Sequence, residues 1–291
     1  YFLDNEYYFK RPGLYGYYDD GERFAFFSKA ILEMLHYIDY APDIIHCNDW
    51  QTALVPVYLN LFYRGEQKFR DLKTVLTIHN IQYQGKYGME MVQDVLGIPQ
   101  SATPIVEYDG CVNYMKGGID QCNMITTVSQ TYAQEILDPW YSHGLDRILK
   151  ARQFKLMGIL NGIDVEGYDP QTDPNLSAPF SKDDPSGKAE DKRALQEEMG
   201  LPQEKDVMLL GIVSRLADHK GLDLVKYIGE EMLQENLQLV VLGSGEYMFE
   251  SFFEEMQRKY PEKVSFAKGF IPPLARKIYA GADTFLMPSK S

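Results

Sequence analysis

Two basic side chains five positions apart, Arg215 and Lys220, form the clearest chemical grouping in this 291-residue sequence. They stand in Ser214-Arg215-Leu216-Ala217-Asp218-His219-Lys220-Gly221, directly after the apolar run Val207 to Val213. At the carboxyl end of a strand both can reach one spot, and a following helix offers free N–H groups and the positive end of its dipole. Arg presents a planar fork to phosphate oxygens and Lys a mobile point charge, so the pair suits a diphosphate better than a single carboxylate. Gly221 removes a side chain where a ligand would approach. A charged surface loop has the same composition; the position after a strand in an acidic chain favours an anion site.

Other polar groups also follow apolar runs. Gly243-Ser244-Gly245 would let the backbone approach a phosphate or ribose. It lacks the full glycine fingerprint and downstream acid of a dinucleotide site, and by itself reads as a tight βα turn. Phe270, in Lys268-Gly269-Phe270, has a face for a nucleobase or for core packing. In the first half, His46-Cys47-Asn48-Asp49-Trp50 and Thr77-Ile78-His79-Asn80 both end strand-like runs and belong at one sheet edge. Asp49, His79 and Asn80 suit sugar hydroxyls, although each alone reads more readily as a cap or a satisfied histidine. Adjacent His46 and Cys47 point to opposite faces of a strand, which argues against a joint metal site. Asn161-Gly162 alone is a turn pair. No Gly-x-Ser-x-Gly, HExxH or Walker A pattern occurs.

The elements that must hold these groups alternate. Ile44 to His46, Thr74 to Ile78, Met124 to Val128 and Leu156 to Leu160 read as strands, and Ser129 as the N-cap of a helix from Gln130 to Leu137. From about 166 to 206 the chain is rich in proline and charge, with only Lys188 to Met199 helix-like, and reads as an interdomain connection. Alternation then resumes with strands at Val207 to Val213, Gln238 to Leu242, Val264 to Ala267 and Thr284 to Met287, separated by helices at Gly221 to Glu235, Tyr247 to Tyr260 and Leu274 to Ala280. This pattern predicts two α/β domains with parallel sheets, 1–165 and 207–291, joined by 166–206. Ligands of such folds sit outside the carboxyl ends of the strands.

Composition sets the limits. With 42 Asp and Glu against 29 Lys and Arg, the net charge is −13. That opposes nucleic-acid binding, which needs clustered cations, and leaves any anionic ligand to a local basic group. Three scattered cysteines give neither a disulfide framework nor a metal site, which suits a reducing, cytoplasmic location. No apolar run reaches the roughly 18–20 residues of a membrane span. The chain opens at Tyr1 in an aromatic stretch and closes at Met287-Pro288-Ser289-Lys290-Ser291 straight after a strand, so both ends read as cut.

Taken in order, His46-Cys47-Asn48-Asp49-Trp50-Gln51, Thr77-Ile78-His79-Asn80-Ile81-Gln82-Tyr83-Gln84-Gly85, Thr126-Thr127-Val128-Ser129, Leu160-Asn161-Gly162-Ile163-Asp164, Val213-Ser214-Arg215-Leu216 with Lys220-Gly221-Leu222-Asp223, and Gly281-Ala282-Asp283 with Pro288-Ser289 resemble bacterial glycogen synthases and plant starch synthases, glycosyltransferase family 5. The resemblance implies two Rossmann-like domains facing a cleft, the GT-B arrangement, with both domains incomplete here. It implies a retaining transferase that moves glucose from ADP-glucose to the non-reducing end of an α-1,4-glucan such as glycogen, without a cofactor or metal. Carried over by position, Arg215 and Lys220 would hold the donor diphosphate and stabilise the leaving ADP. His79 would bond the glucosyl 6-hydroxyl, Asp49 would stand near the reacting sugar, and Asn161 would touch the glucose. Asn80, Tyr83, Gln84, Gln51, Gly243 and Ser244 would complete the substrate contacts, and Phe270, where many relatives have Tyr, would lie against adenine.

Asn48 and Gln51 depart from that pattern, since many relatives carry His there; both substitutes hydrogen-bond without charge, so altered local contacts are expected. The family's Lys-x-Gly-Gly-Leu motif would precede Tyr1 and its glutamate-bearing segment would follow Lys290. These 291 residues alone are therefore expected to transfer little glucose and, with sheet edges exposed, to be marginally stable. Two rival readings remain: a UDP-glucose-dependent, sucrose-synthase-like transferase, and a non-catalytic glucan-binding protein suggested by the 13% aromatic content.

Overall fold

The computed structural model describes residues 1–290. The chain divides into two compact units, Tyr1–Gly162 and a second beginning at Ile163. The first carries β1 (Ile44–Asn48), β2 (Lys73–Ile78), β3 (Lys86–Tyr87), β4 (Glu107–Tyr108), β5 (Cys111–Asn113), β6 (Met124–Thr127) and β7 (Leu156–Gly158). Its main sheet is parallel, in the order β1-β2-β6-β7; the short strands β3-β5-β4 form a separate antiparallel sheet.

Register decides where the polar groups fall. Asn48 lies beside Thr77, and Thr77 beside Thr126, so β1 and β2 end level and Asp49 and His79 emerge at the same edge. The Thr77 hydroxyl meets the His46 ring nitrogen Nε2 at 2.5 Å and the Thr126 hydroxyl at 2.6 Å, pinning that register across three strands. Beneath lies a core in which Leu54, Val55, Val57 and Leu59 are fully buried with Leu76 and Ile78. A helix apolar all round belongs inside, as the run through Leu54–Tyr58 does. The expected cap is present: Ser129 accepts from the Tyr132 amide at 2.9 Å and starts the helix Gln130–Glu135.

In the second unit, β8 (Met208–Val213), β9 (Leu237–Gly243), β10 (Val264–Lys268) and β11 (Thr284–Phe285) form a parallel sheet in the order β10-β9-β8-β11. Every residue of β9 is buried, as expected of a parallel strand covered on both faces. Alternation sorts its side chains: Leu239 and Val241 pack with Phe249 and Phe253, while Val240 and Leu242 pack with Leu274, Ile278 and Leu195. Leu195 belongs to the helix Gly187–Glu198, within the stretch that reads as a connection. That helix covers one sheet face, and the unit that contains it begins at Ile163. Lys192 of the same helix pairs with Asp283 at 2.7 Å, and Asp283 Oδ2 also accepts the Leu209 amide at 2.8 Å, fixing β11 against β8.

Candidate active site

Numbered within the unit, the second sheet has the order 3-2-1-4, so the order of strand addition reverses between β8 and β11 while all four strands stay parallel. Ligands of doubly wound sheets bind outside the carboxyl ends of the strands at such a switch point. A cavity of about 480 Å³ opens at this edge. Its walls come from the ends of three strands: Ser214 and Arg215 after β8, Gly243 to Gly245 after β9, and Gly269 to Pro272 after β10. Phe270 is 91% exposed and stands free at this cavity, so the core-packing reading of that ring does not apply. The structure thus brings Arg215, Gly243, Ser244 and Phe270 to one place.

Lys220 lies in the 3-10 turn Asp218–Lys220, half-buried and without an ion-pair partner among the described residues. His219 lies between the two cations in sequence; its Nε2 is 3.4 Å from the Arg215 guanidinium. Burial pushes the His219 pKa down, and the charges of Lys220 and Arg215 push it further, against Asp218 and Glu246. The Arg215 guanidinium can only donate, so the imidazole nitrogen accepts from it. His219 was not among the expected site residues; its position inside the basic loop is the signal that marks it.

The glycines serve the chain more than a ligand. Gly221 has φ +68°, and a Cβ there would lie 1.9 Å from the Pro288 carbonyl, so the space is filled by Pro288. A Cβ on Gly243 would meet Ser214 O at 2.1 Å, and one on Gly245 would meet Leu216 O at 2.2 Å. The Gly245 amide is spent on Glu250 Oε1 at 2.8 Å and the Glu246 amide on Leu216 O at 2.7 Å. Close packing of the 243–246 turn on the 214–216 loop, rather than approach to a phosphate, explains Gly243 and Gly245. Lys268 completes the support by pairing with Glu250 at 2.5 Å, which holds the Glu250 carboxyl below its ordinary range.

In the first unit, Asp49 and His79 meet directly. Asp49 Oδ1 accepts the His79 amide at 2.8 Å and the Asn80 amide at 3.4 Å. Asp49 itself sits at φ +53°, a left-handed conformation that is uncommon outside glycine, asparagine and aspartate. His79 Nε2 bonds Asn48 Oδ1 at 2.9 Å, so the asparagine at that departing position orients the histidine ring. Asn80 turns back through Oδ1 to the Gln82 amide at 2.9 Å. The carboxylate is therefore a backbone anchor as well as a candidate acceptor of sugar hydroxyls.

The remaining expected residues divide. Tyr83 is 49% exposed and open to a ligand. Gln84 is only 3% exposed, and its amide is consumed by Ile81 O, His143 O and Asn113, so it braces loops and is not free to bind substrate. Gln51 is half-buried in the turn Asp49–Thr52. Asn161 is exposed in irregular chain beyond β7, at the opposite end of the sheet from β1. No cluster of three or more His, Cys, Asp or Glu suited to a metal ion occurs among the described residues.

A family model for the starch synthase catalytic domain matches residues 1–151. The chain belongs to that family. The glycogen synthase of Geobacillus thermodenitrificans is 50% identical over 291 residues, covering 99% of this chain and 60% of that protein. The glycogen synthase of Anoxybacillus flavithermus is 48% identical over 292 residues, covering 100% of this chain and 60% of its own length. The chain thus spans about 60% of the length of these curated relatives. Among solved structures, the catalytic domain of starch synthase IV from Arabidopsis thaliana, bound to ADP and acarbose, matches with a TM-score of 0.87 at 34% identity, over 97% of this chain and 59% of that one. The fold is the expected α/β glycosyltransferase fold of GT-B type. No helix among the described residues is long and apolar enough to cross a membrane.

Proposed function

We propose that the protein carrying this chain is an ADP-glucose-dependent, retaining α-1,4-glucan glucosyltransferase of the glycogen and starch synthase kind, acting in the cytoplasm without a cofactor. The observation that carries the reading is the cavity at the carboxyl edge of β8, β9 and β10, with Arg215 on one wall and the free face of Phe270 on another. Cation and aromatic face match the two ends of a nucleoside diphosphate. The likeness to glycogen synthases, and to a starch synthase domain bound to ADP and acarbose, supports the same assignment. The net charge of −13 makes the local cations the attraction for the donor and disfavours nucleic acid as a partner.

In the reaction, the bond from glucose C1 to the diphosphate oxygen breaks and a bond from C1 to the acceptor O4 forms on the same face. The acceptor hydroxyl proton passes to the departing phosphate oxygen, so a protein carboxylate base is not required. Arg215 and Lys220 stabilise the charge gathering on the leaving diphosphate; preorganised charge of this kind is commonly the largest catalytic contribution. Asp49, His79 and Asn80 offer hydrogen bonds to sugar hydroxyls, and Asn161 a contact to glucose. Phe270 supports adenine.

Titration of the protein that carries this chain, rather than of these 291 residues alone, with ADP-glucose and UDP-glucose, followed by transfer of labelled glucose to glycogen, tests the reading. Binding and transfer with the adenine donor are expected, and Arg215→Ala should lower transfer by about 10²–10³, roughly 3–4 kcal/mol. Equal or better use of UDP-glucose, or unchanged donor binding in Arg215→Ala, would overturn it.

A further inference from the structure

The chain has two tryptophans, and they are placed in opposite ways. Trp50 is 8% exposed and packs edge-on to Phe24, with ring centroids 5.0 Å apart. Trp140 is 83% exposed, with Tyr141 beside it in the chain also exposed. A lone exposed aromatic ring is ordinary, but Trp140 and Tyr141 are exposed side by side on a well-built loop, and a contiguous exposed apolar patch is the kind of surface that binds a ligand.

The loop is well built. Asp138 Oδ1 accepts the Trp140 amide at 2.8 Å, and Asp138 O accepts the amides of Tyr141 and Ser142 at 3.1 and 3.0 Å. Tyr108 donates to Gly144 O at 2.9 Å, and His143 is held at φ +49°. A loop backbone fixed in this way loses little freedom on binding. The loop is also clipped to the candidate site: Gln84 Nε2, already bonded to Ile81 O at 3.1 Å, donates at the same distance to His143 O. Ile81 and Gln84 belong to the loop that presents His79, Asn80 and exposed Tyr83 and that Asp49 anchors at its start. One buried amide therefore joins two loops, each displaying an exposed aromatic ring, to the Asp49 edge.

We propose that Trp140, together with Tyr83, forms a stacking platform for glucosyl units of the α-1,4-glucan acceptor as it leads to Asp49; the proposal deepens the transferase reading and rests on it. A glucosyl ring has an apolar C–H face and a polar rim, which suits an aromatic face bordered by hydrogen-bonding groups. The charged residues between positions 130 and 147 are Glu135, Asp138, Asp146 and Arg147, a net acidic set, so the platform favours a neutral sugar over a phosphate.

Buried Trp50 emits as well, so the difference between wild type and Trp140→Leu is what assigns a glucan-dependent change in emission to Trp140. Maltoheptaose should change the emission of the wild-type protein saturably, and Trp140→Leu should abolish the change while leaving the melting temperature intact. Calorimetry should show maltoheptaose affinity falling about tenfold or more in Trp140→Leu and largely restored in Trp140→Phe. With ADP-glucose, KM for glucan should rise and KM for the donor stay constant. Wild-type emission indifferent to maltoheptaose, or equal calorimetric affinity in Trp140→Leu, would overturn the platform. ADP titration of the same samples separates the two claims: ADP binding without a glucan response sinks the platform alone. A Trp140-dependent glucan response without ADP or ADP-glucose binding supports the platform and sinks the transferase reading.

Discussion

The carboxylate of Asp49 holds the backbone amide of His79 at 2.8 Å, joining the ends of two adjacent parallel strands. Substitutions at Asp49 can separate its anchoring role from its charge. Asn keeps an acceptor and tolerates the left-handed φ of +53°. Asp49→Asn should therefore stay within about 1 kcal/mol of wild-type stability, whereas Asp49→Ala, which loses the anchor and strains the backbone, should lose about 1–3 kcal/mol. Transfer should fall in both if the charge serves the reacting sugar. Denaturant melts and initial rates on the pair decide this, and an Asn variant with full activity would confine Asp49 to anchoring.

Phe270 invites a similar separation. Its ring is free at the 480 Å³ cavity, so truncation should cost binding rather than folding. Phe270→Ala is expected to weaken ADP by about 1–3 kcal/mol, the usual worth of a base on an aromatic face. Phe270→Tyr should bind normally, and pyrophosphate, which has no base, should bind the Ala variant as well as wild type. Calorimetry with the two ligands checks it; parallel losses for both would place Phe270 away from the base.

His219 links the basic loop to pH. Its pKa is depressed below the ordinary 6.5 by burial first and then by Lys220 and Arg215. The unfolded chain therefore binds this proton at higher pH than the native state, so the residue's contribution to stability declines as pH falls through about 6.5 and levels off below the native pKa. Arg215→Ala should raise the His219 pKa, and bound ADP-glucose should raise it too by placing negative charge beside the ring. Following the ring resonances through a pH titration tests both directions. An unmoved pKa on donor binding would put the diphosphate elsewhere.

The strands and the polar residues after them were legible because parallel strands covered on both faces leave uninterrupted apolar runs, as in Leu239 to Leu242. Less legible were contacts set by remote chain. Strands β3, β4 and β5 are two or three residues long, too short for alternation to show. The close packing at Gly221 depends on Pro288, 67 positions on, and that at Gly245 on Leu216. Gln84 sits in a motif that the family resemblance assigns to substrate, yet its partners Asn113 and His143 lie far along the chain and take it inward.

Gly221→Ala should act through residues 288–290 rather than through the ligand. The substitution forces a left-handed φ on an alanine, worth about 1–2 kcal/mol. It also drives the Cβ into the Pro288 carbonyl. The segment must then move, releasing Lys290 from Asp218 and Asp223, which it meets at 3.1 and 3.0 Å. Exposed pairs of that kind contribute little, so most of the destabilisation is steric. Lys290→Ala alone should therefore change the melting temperature far less than Gly221→Ala, and the reverse order would show that the ion pairs, not the packing, hold the segment.

Gln84 offers the sharpest structural test, because one side chain satisfies three groups: one in its own loop, one at the end of β5 and one in the Trp140 loop. Gln84→Leu keeps the volume but leaves Asn113 Nδ2, Ile81 O and His143 O without their partner in a buried setting. Each unmet buried group costs about 1–3 kcal/mol. Water reaching the His143 end relieves part of this, so a net loss of about 2–4 kcal/mol is expected. Gln84→Glu keeps the shape and one acceptor for Asn113 but turns the donor toward His143 into a second acceptor, repelling two carbonyls, and should be at least as damaging at neutral pH. Its loss should shrink as pH falls, since a protonated carboxyl donates again. Melts of both variants from pH 7 to pH 4 check this. A Leu variant as stable as wild type would remove Gln84 as the brace between the Tyr83 and Trp140 loops.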